Sequence, residues 1–438
     1  MSVRLALDGT NMSRRVVITG VGCVTPLGTE VDAVWDALRE GRSGVGPITL
    51  FDASNFPVRI AAEVCDWDMS DIGEDPSQWQ HHARQTQFAV ASAVKASQSA
   101  GLDDVSMDPA LKGVYLGCGE IFPDFLKLCQ STQAALDGDQ FQLDKFVEHC
   151  QATCPVDEAL VYEPGIATTF IAGMLDAQGP NMNIISACTS SSTAIGEARE
   201  AIRRGDADVM LAGGAHSMIH PFGVAGFHRL ATLSTHNDEP DKASRPFDRD
   251  RDGFVIGEGG VVFVLEALEH ARRRRADIWG ELTGYGANHD AYRITDPHPE
   301  SARAADCIKL ALDDARLNTD QIDYINAHGT ATVFNDKSET VAVKRALGER
   351  AYTIPISSTK SMTGHLTTAS GAMELLVGLM AICNSVVPAT LNYEHPDPDC
   401  DLDYVPAAAR DIHCQHAISN NFGFGGHNSS LIVSRRAA

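Results

Sequence analysis

The chain has 438 residues, more than a single hydrophobic core usually organises, so two large halves are expected. Hydrophobic residues make up 44% of it and charged residues 21%, as in soluble globular proteins, and no apolar run is long enough to predict a membrane span. The net charge of −23 argues against nucleic acid as a general partner, because phosphate groups bind to basic surfaces.

The cysteines and the N-terminus indicate a cytoplasmic protein. Eleven cysteines are scattered through the chain without the spacing of a disulfide framework, which is typical of a reducing compartment. Residues 1–14 lack the apolar core and cleavage site of a signal peptide, and we expect a short N-terminal extension. No second Cys/His pair accompanies His149, Cys150 and Cys154, so a zinc site is not predicted there.

The first half opens with a strand over residues 15–20 that ends in a glycine-rich turn. The glycine spacing does not match a dinucleotide-binding fingerprint. Apolar residues then recur at helical spacing over 84–100, and 113–117 is a second buried strand. The segment from about 120 to 164 has a mixed pattern and precedes the central motif. Its position predicts a cap insertion over a substrate tunnel.

The chain is organised around residues 184–192, which have the sequence IISACTSSS. The apolar residues 183–185 are predicted to end a buried strand, and helical spacing follows over 193–204. Cys188 is therefore expected on a tight turn at a helix N-terminus, where unpaired N–H groups and the helix dipole favour a thiolate. Taken alone, this stretch fits either an activated nucleophile or an inert buried cysteine.

An aspartate-rich loop follows the strand predicted at 208–215. Asp248, Asp250 and Asp252 imitate the start of an EF-hand loop. Gly259 stands where such a loop needs a bidentate carboxylate, so a calcium site is rejected.

The second half repeats the order of the first. Residues 323–326 form a strand that leads to His328, and residues 353–356 lead through Lys360 and His365 into a helix. Strand, reactive turn and helix follow one another in the same way around Cys188. The pattern predicts a duplicated α/β fold with its reactive residues at strand ends that face a pseudo-twofold junction.

The predicted halves divide the chain after residue 275. The N-terminal half covers residues 15–275 and includes the cap insertion at about 120–164. The C-terminal half covers residues 276–438.

Four segments place reactive side chains among small residues at predicted strand ends. They are residues 186–192 (SACTSSS), 326–332 (NAHGTAT), 358–365 (STKSMTGH) and 421–428 (NFGFGGHN). Together they closely resemble the β-ketoacyl-acyl-carrier-protein synthases of the thiolase superfamily, in particular the elongating type II branch. The resemblance extends from about Arg15 to the C-terminus through further motifs, namely GDADVM at 205–210, SRPFD at 244–248, RDGF at 251–254 and PATLN at 388–392.

The resemblance implies a thiolase-like αβαβα fold and a decarboxylative Claisen condensation. Cys188 would accept an acyl group from a carrier thioester, and a malonyl thioester would lose carbon dioxide and attack it as an enolate. His328 and His365 would donate hydrogen bonds to the enolate oxygen, and Lys360 would orient and tune the pair. A second histidine favours the elongating enzymes over the initiating ones. Cys414 lacks the glycine motif of a thiolase.

Further roles follow from the same resemblance. The backbone N–H groups of Cys188 and Phe424 would form an oxyanion hole, and Phe424 would gate the acyl tunnel. Thr330 and Thr332 would contact the phosphopantetheine arm. Because that arm arrives on the acyl carrier protein, no tightly bound cofactor and no metal are expected.

Some residues have two possible roles. Glu120 stands where many members of the resembling family have a small or apolar residue beside the acyl pocket. A carboxylate in an apolar chamber is costly unless it is paired or protonated. Glu120 therefore either shapes a shortened, polar or partner-completed substrate pocket or turns away from it. Asp336 and Glu339 are expected to support the site from behind, with a purely structural role as the alternative.

The sequence leaves the pathway and the partner open. Ordinary fatty-acid elongation and a specialised type II polyketide or polyene pathway both fit, the latter with a chain-length-factor subunit. A homodimer or a pseudo-symmetric heterodimer is expected. Within residues 78–84, Arg84 is the one reliably charged basic residue expected to help bind the carrier protein. Arg229 is expected to contribute a second positive charge from elsewhere in the chain. A non-catalytic subunit is disfavoured, because all four reactive residues are present.

Overall fold

The computed structural model describes residues 14–103, 105–154 and 160–435. The predicted N-terminal extension therefore lies outside the described residues except for Arg14. Residues 155–159 of the predicted cap insertion also lie outside them.

The described part of the chain forms one mixed sheet of ten strands. In chain order they are β1 (Val16–Val24), β2 (Lys112–Cys118), β3 (Asn181–Asn183), β4 (Val209–His216), β5 (Gly259–Ala267), β6 (Gly280–His289), β7 (Tyr324–Asn326), β8 (Ile356–Ser357), β9 (His416–Gly423) and β10 (His427–Ser434). Short two-stranded pairs join Val45–Pro47 to Ile60–Ala62, Leu136–Asp137 to Gln140–Phe141, and Val386–Val387 to Arg410–Asp411.

The strand order is the same in both halves of the sheet. From one edge to the other the order is β8-β7-β9-β10-β6-β1-β5-β4-β2-β3. Counted outwards from the centre, each half places its first, fifth, fourth, second and third strand in turn. β1 and β6 pair antiparallel where the halves meet. The predicted duplication of an α/β unit is confirmed.

Thirteen helices of the described residues surround the sheet. They are α1 (Val31–Glu40), α2 (Pro76–Trp79), α3 (Arg84–Ser99), α4 (Phe125–Ala134), α5 (Leu143–Thr153), α6 (Ile166–Met174), α7 (Ser190–Arg204), α8 (Pro221–Arg229), α9 (Leu268–Arg274), α10 (Ala302–Ala315), α11 (Val333–Leu347), α12 (Lys360–Thr363) and α13 (Ser370–Asn384).

The helices form layers on and between the half-sheets. α7 and α13 are central: each packs on strands of its own half and also contacts strands of the other half. α3 packs on β1, β5 and β4 on the outside of the N-terminal half, and α10 packs on β6 and β10 on the outside of the other. This is the predicted thiolase-like αβαβα arrangement.

The two central helices approach each other closely at their N-termini. A Cβ on Gly371 would come within 2.6 Å of the Ser192 Cβ, so the contact requires glycine. The main-chain N–H of Ala372 donates to the Ser191 hydroxyl at 3.0 Å. The stretch Thr367–Asn384 is apolar and long enough to cross a membrane, yet 89% of it is buried in the fold, as in a core helix. The close packing brings the turns before α7 and α13 together.

The strand that precedes the central motif differs from the prediction. It comprises Asn181–Asn183 rather than 183–185, and the Ile185 side chain is 48% exposed. β3 is an edge strand that pairs only with β2, so its side chains need not be apolar on both faces. α7 begins at Ser190, earlier than the predicted residue 193.

Candidate active site

A strained turn presents Cys188 at the N-terminus of α7. Ala187 has a φ of +51°, a left-handed conformation that non-glycine residues rarely adopt. The Ser190 hydroxyl fixes this turn because it donates to the Ala187 carbonyl at 2.7 Å and accepts from the Ser186 N–H at 2.8 Å. A nucleophile on such a turn is exposed to substrate, as on the nucleophile elbow of hydrolases.

The structure brings Cys188 together with the two predicted histidines. The His365 Nε2 lies 3.1 Å from the Cys188 Sγ. The Sγ and one ring nitrogen of His328 and of His365 all lie within 4.8 Å of one another. Cys188 lies in the turn before α7, His328 in the segment after β7 and His365 in the turn after α12, so only the folded chain assembles them.

The hydrogen bonds of His365 decide which nitrogen carries its proton. The main-chain N–H of Thr367 is directed at Nδ1 at 3.3 Å, and the Ser370 hydroxyl lies 2.7 Å from the same atom. An N–H group can only donate, so Nδ1 is an acceptor and the neutral ring carries its proton on Nε2. His365 therefore presents an N–H donor towards Cys188.

Lys360 fixes the tautomer of His328 in a similar way. Its side chain is 2% exposed, and its Nζ donates to the His328 carbonyl at 2.6 Å and lies 3.3 Å from Nδ1. An ammonium group has only donors, so the His328 proton also resides on Nε2. Glu374 pairs with Lys360 and accepts a hydrogen bond from the Asn421 amide, and these bonds compensate the buried charge.

Both histidines are held neutral. Burial lowers the pKa of His328 and of His365 well below the usual value near 6.5, and the nearby Lys360 cation lowers each pKa further. A neutral imidazole with its proton on Nε2 donates one hydrogen bond without being a strong acid. This property suits the stabilisation of an enolate oxygen.

The Cys188 thiol differs from the sequence-based expectation. Burial raises its pKa to about 11, although Lys360 and the backbone N–H groups of Phe424 and of Cys188 itself act in the opposite direction. The cost of desolvating a thiolate exceeds the stabilisation at the helix N-terminus, so the resting residue is a thiol rather than the expected thiolate. The same two N–H groups are those predicted to form an oxyanion hole, a role that stays a prediction.

A cavity of about 420 Å³ contains these groups. Its lining also includes Thr330, Thr332, Phe424 and Glu120 from the predicted site, and the Thr330 and Thr332 hydroxyls are 2.9 Å apart. Among the described residues of the predicted cap, Glu120 alone reaches the lining, and its side chain is exposed. Because water can hydrate the exposed Glu120 carboxylate, this group does not bear the free-energy cost of burial in an apolar chamber.

Glu339 and Asp336, the two residues predicted to support the site, are both buried and hold different parts of the main chain. The Glu339 carboxylate accepts from the main-chain N–H groups of His328 at 2.8 Å and Gly329 at 2.7 Å, and burial raises its pKa to about 8. Asp336 accepts from the Phe247 N–H at 2.7 Å and faces Arg251 at 3.7 Å. Glu339 directly holds the main chain that carries His328.

Sequence reasoning missed several residues that contact the reactive groups. Glu374 had a usable signal, because it is the only charged residue in the apolar helix α13. Ser370, Thr367 and His216 had none, since hydroxyl residues are common in turns and isolated histidines usually have ordinary structural roles.

The chain matches two family models. The β-ketoacyl synthase N-terminal domain matches residues 13–271, and the β-ketoacyl synthase C-terminal domain matches residues 279–394. A 3-oxoacyl-[acyl-carrier-protein] synthase 2 from Coxiella burnetii is 42% identical over 96% of this chain and 99% of its own length. A putative polyketide β-ketoacyl synthase from Streptomyces halstedii is also 42% identical, over 97% of this chain and 98% of its own length.

Solved structures of ketosynthases superpose on nearly the whole chain. A type II polyketide acyl-carrier protein in complex with its ketosynthase, and the ishigamide ketosynthase/chain length factor, each match with a TM-score of 0.86 and 32% identity. Each match covers 97% of this chain and 100% of the other. Sequence, fold and site geometry agree, and the chain belongs to the β-ketoacyl synthase family.

Proposed function

We propose that this chain is a β-ketoacyl-acyl-carrier-protein synthase that condenses a Cys188-bound acyl group with malonyl-acyl-carrier protein. The observation that carries this proposal is the convergence of the Cys188 thiol with one ring nitrogen of each neutral histidine, all within 4.8 Å of one another. The thiol can form a thioester with an acyl group, and the two N–H donors can stabilise an enolate in the step that follows.

In the first half-reaction the Cys188 sulfur attacks the thioester carbonyl of an acyl carrier protein. The helix N-terminus, the Lys360 cation and the two backbone N–H groups stabilise the thiolate that attacks, against its raised pKa. The N–H groups of Cys188 and Phe424 then hold the tetrahedral oxyanion. The C–S bond to the carrier breaks, the carrier thiol takes up a proton, and an acyl-enzyme remains.

In the second half-reaction a malonyl thioester occupies the cavity, with its phosphopantetheine arm beside Thr330 and Thr332. The bond to its carboxylate breaks, carbon dioxide leaves, and the electron pair forms an enolate. The Nε2–H groups of His328 and His365 bind the enolate oxygen. The enolate carbon attacks the acyl carbon, and Cys188 leaves as a thiolate that is ready to be reprotonated.

The surface at the cavity mouth fits a carrier protein that docks largely through apolar contacts. Leu230, Val333 and Phe334 line the cavity and are exposed, and Phe334 is 68% exposed. Arg84 turns inward to the buried Glu258, so it does not serve the docking role expected from the sequence. Arg229 stays exposed beside Leu230.

A second candidate is the ketosynthase subunit of a specialised type II polyketide or polyene pathway that works with a chain-length-factor partner. The similarity to a polyketide β-ketoacyl synthase and to a ketosynthase/chain length factor favours it, whereas the exposed Glu120 does not distinguish the two pathways. Exposed apolar residues on α4 and α5, including Leu126 and Leu143, leave a surface for a second subunit, either identical or homologous.

All eleven cysteines are free, which supports a cytoplasmic location.

The test is the intact mass of the protein after incubation with carrier proteins that bear different acyl chains, beside Cys188→Ala. We expect a gain of one acyl group that is absent in the variant, and the best chain reports the pocket. The panel is repeated with a chain-length-factor subunit added. An adduct only in that mixture supports the second candidate. No adduct under either condition rejects the synthase.

A further inference from the structure

The turn that joins His365 to α13 contains a strained residue. Thr367 has a φ of +50°, which is unfavourable for a β-branched side chain. Strain of this kind persists only where surrounding contacts fix the conformation. The strain orients the Thr367 N–H towards the His365 Nδ1 at 3.3 Å.

A buried histidine holds the Thr367 side chain. The Thr367 hydroxyl is hydrogen-bonded to the Nδ1 of His216, which ends β4 and is 3% exposed. The His216 ring packs on the end of β2, where a Cβ on Gly119 would lie 2.3 Å from its Nε2. The ring therefore has little freedom, and it anchors the Thr367 hydroxyl to the N-terminal half.

A second side chain acts on the same nitrogen of His365. The Ser370 hydroxyl is 2.7 Å from Nδ1, and Ser370 is 2% exposed at the first position of α13. Because the Thr367 N–H makes Nδ1 an acceptor, the Ser370 hydroxyl must donate to it. Nδ1 thus receives two donors, and both must be displaced before the proton moves there from Nε2.

We propose that His216, Thr367 and Ser370 are positioning residues that fix the Nε2–H tautomer and the orientation of His365 for decarboxylation. The inference rests on the proposed condensation and deepens it. Acyl transfer to Cys188 depends chiefly on backbone N–H groups, whereas decarboxylation needs a correctly placed proton on His365. Loss of these contacts should therefore slow one half-reaction and spare the other.

The experiment measures the two half-reactions separately. Carbon dioxide release from malonyl-acyl-carrier protein reports decarboxylation, and intact mass in a single turnover reports acylation of Cys188. The variants are Ser370→Ala and Thr367→Val, which each remove one hydroxyl, and Thr367→Ser, which keeps it. The control is Thr283→Val, because the Thr283 hydroxyl donates to the Ile432 carbonyl at 3.3 Å and the residue does not line the cavity.

We expect Ser370→Ala and Thr367→Val each to lower kcat for decarboxylation about tenfold, with KM for malonyl-acyl-carrier protein unchanged. The acylation rate should stay within about twofold of the parent, which also shows that the variants fold. Thr367→Ser and Thr283→Val should decarboxylate at close to the parental rate. His216→Ala should lower decarboxylation as much as Thr367→Val, because it removes the ring that holds the Thr367 hydroxyl.

Parental decarboxylation rates in both Ser370→Ala and Thr367→Val would overturn the inference. So would an equal loss of acylation and decarboxylation, since that result indicates a structural role. Failure of the proposed function is a different result, because the parental protein would then form no acyl adduct in the same assay.

Discussion

The two halves of the sheet share one strand order but hold their reactive groups differently. In the N-terminal half, residues 184–189 join β3 to α7 and keep Cys188 in place with main-chain and hydroxyl hydrogen bonds. In the C-terminal half, the equivalent connection is the longer segment 358–369, which contains Lys360 and His365. Only the second connection carries a buried cation, Lys360, whose carboxylate partner Glu374 lies on α13. Cys188 therefore lies in one copy of the duplicated unit, and Lys360 and both histidines lie in the other.

The two histidines show the same division on a smaller scale. The His328 Nδ1 faces the charged Lys360, and the main-chain N–H of His328 donates to the Glu339 carboxylate. The His365 Nδ1 faces the neutral Thr367 N–H and Ser370 hydroxyl. Both arrangements place the proton on Nε2. They differ in that the Lys360 charge acts on the pKa of both rings, whereas the neutral donors act on His365 alone.

The largest effect should come from removing either ring. His328→Ala and His365→Ala should each lower decarboxylation about 10²–10³-fold, because each deletes one of two donors to the enolate oxygen. Acylation of Cys188, followed by intact mass, should remain within about tenfold of the parental rate. A comparable loss of acylation in His328→Ala would contradict the assignment of the two rings to the second half-reaction.

The charge of Lys360 should appear as a shift in the pH profile. In the parent, the pKa of both histidines lies well below 6.5, so the neutral form persists at pH 6 and decarboxylation changes little between pH 6 and 7.5. The variant Lys360→Met with Glu374→Gln removes the cation together with its counter-ion, and the pKa of each ring rises towards 6.5. We expect its rate at pH 6 to fall about threefold relative to pH 7.5.

Single substitution of Glu374 by Gln provides the matched control, because the Lys360 cation then stays beside the rings. Its pH profile should remain flat over the same range even if its absolute rate is lower. The other titratable groups near His365 are Cys188, His328 and His216, and they are the same in all three proteins. An acid limb that stays below pH 6 in the double variant would show that burial alone keeps the rings neutral.

Local patterns in the sequence predicted the parts of the site that each lie within one segment. Cys188, His328, Lys360 and His365 sit in short motifs at strand ends, and the structure places those motifs side by side. The contact between His216 and Thr367 spans 151 positions, and no local pattern marks either residue. The sequence also could not predict the raised pKa of Cys188, because that pKa follows from desolvation of the thiol in the folded chain.

The smallest effect concerns the mouth of the cavity, away from both connections. Phe334→Glu should raise KM for an acyl carrier protein about tenfold, since an exposed aromatic contact is replaced by a carboxylate that faces an acidic partner. Acylation by a small thioester without a carrier should not change, because such a thioester has no carrier surface for the exposed Phe334 to contact. Leu310→Glu, at an exposed position on the outer helix α10, is the control and should leave both values unaltered. A KM shift shared by carrier and small thioester would place Phe334 in the acyl path and show that carrier docking and substrate entry use one surface.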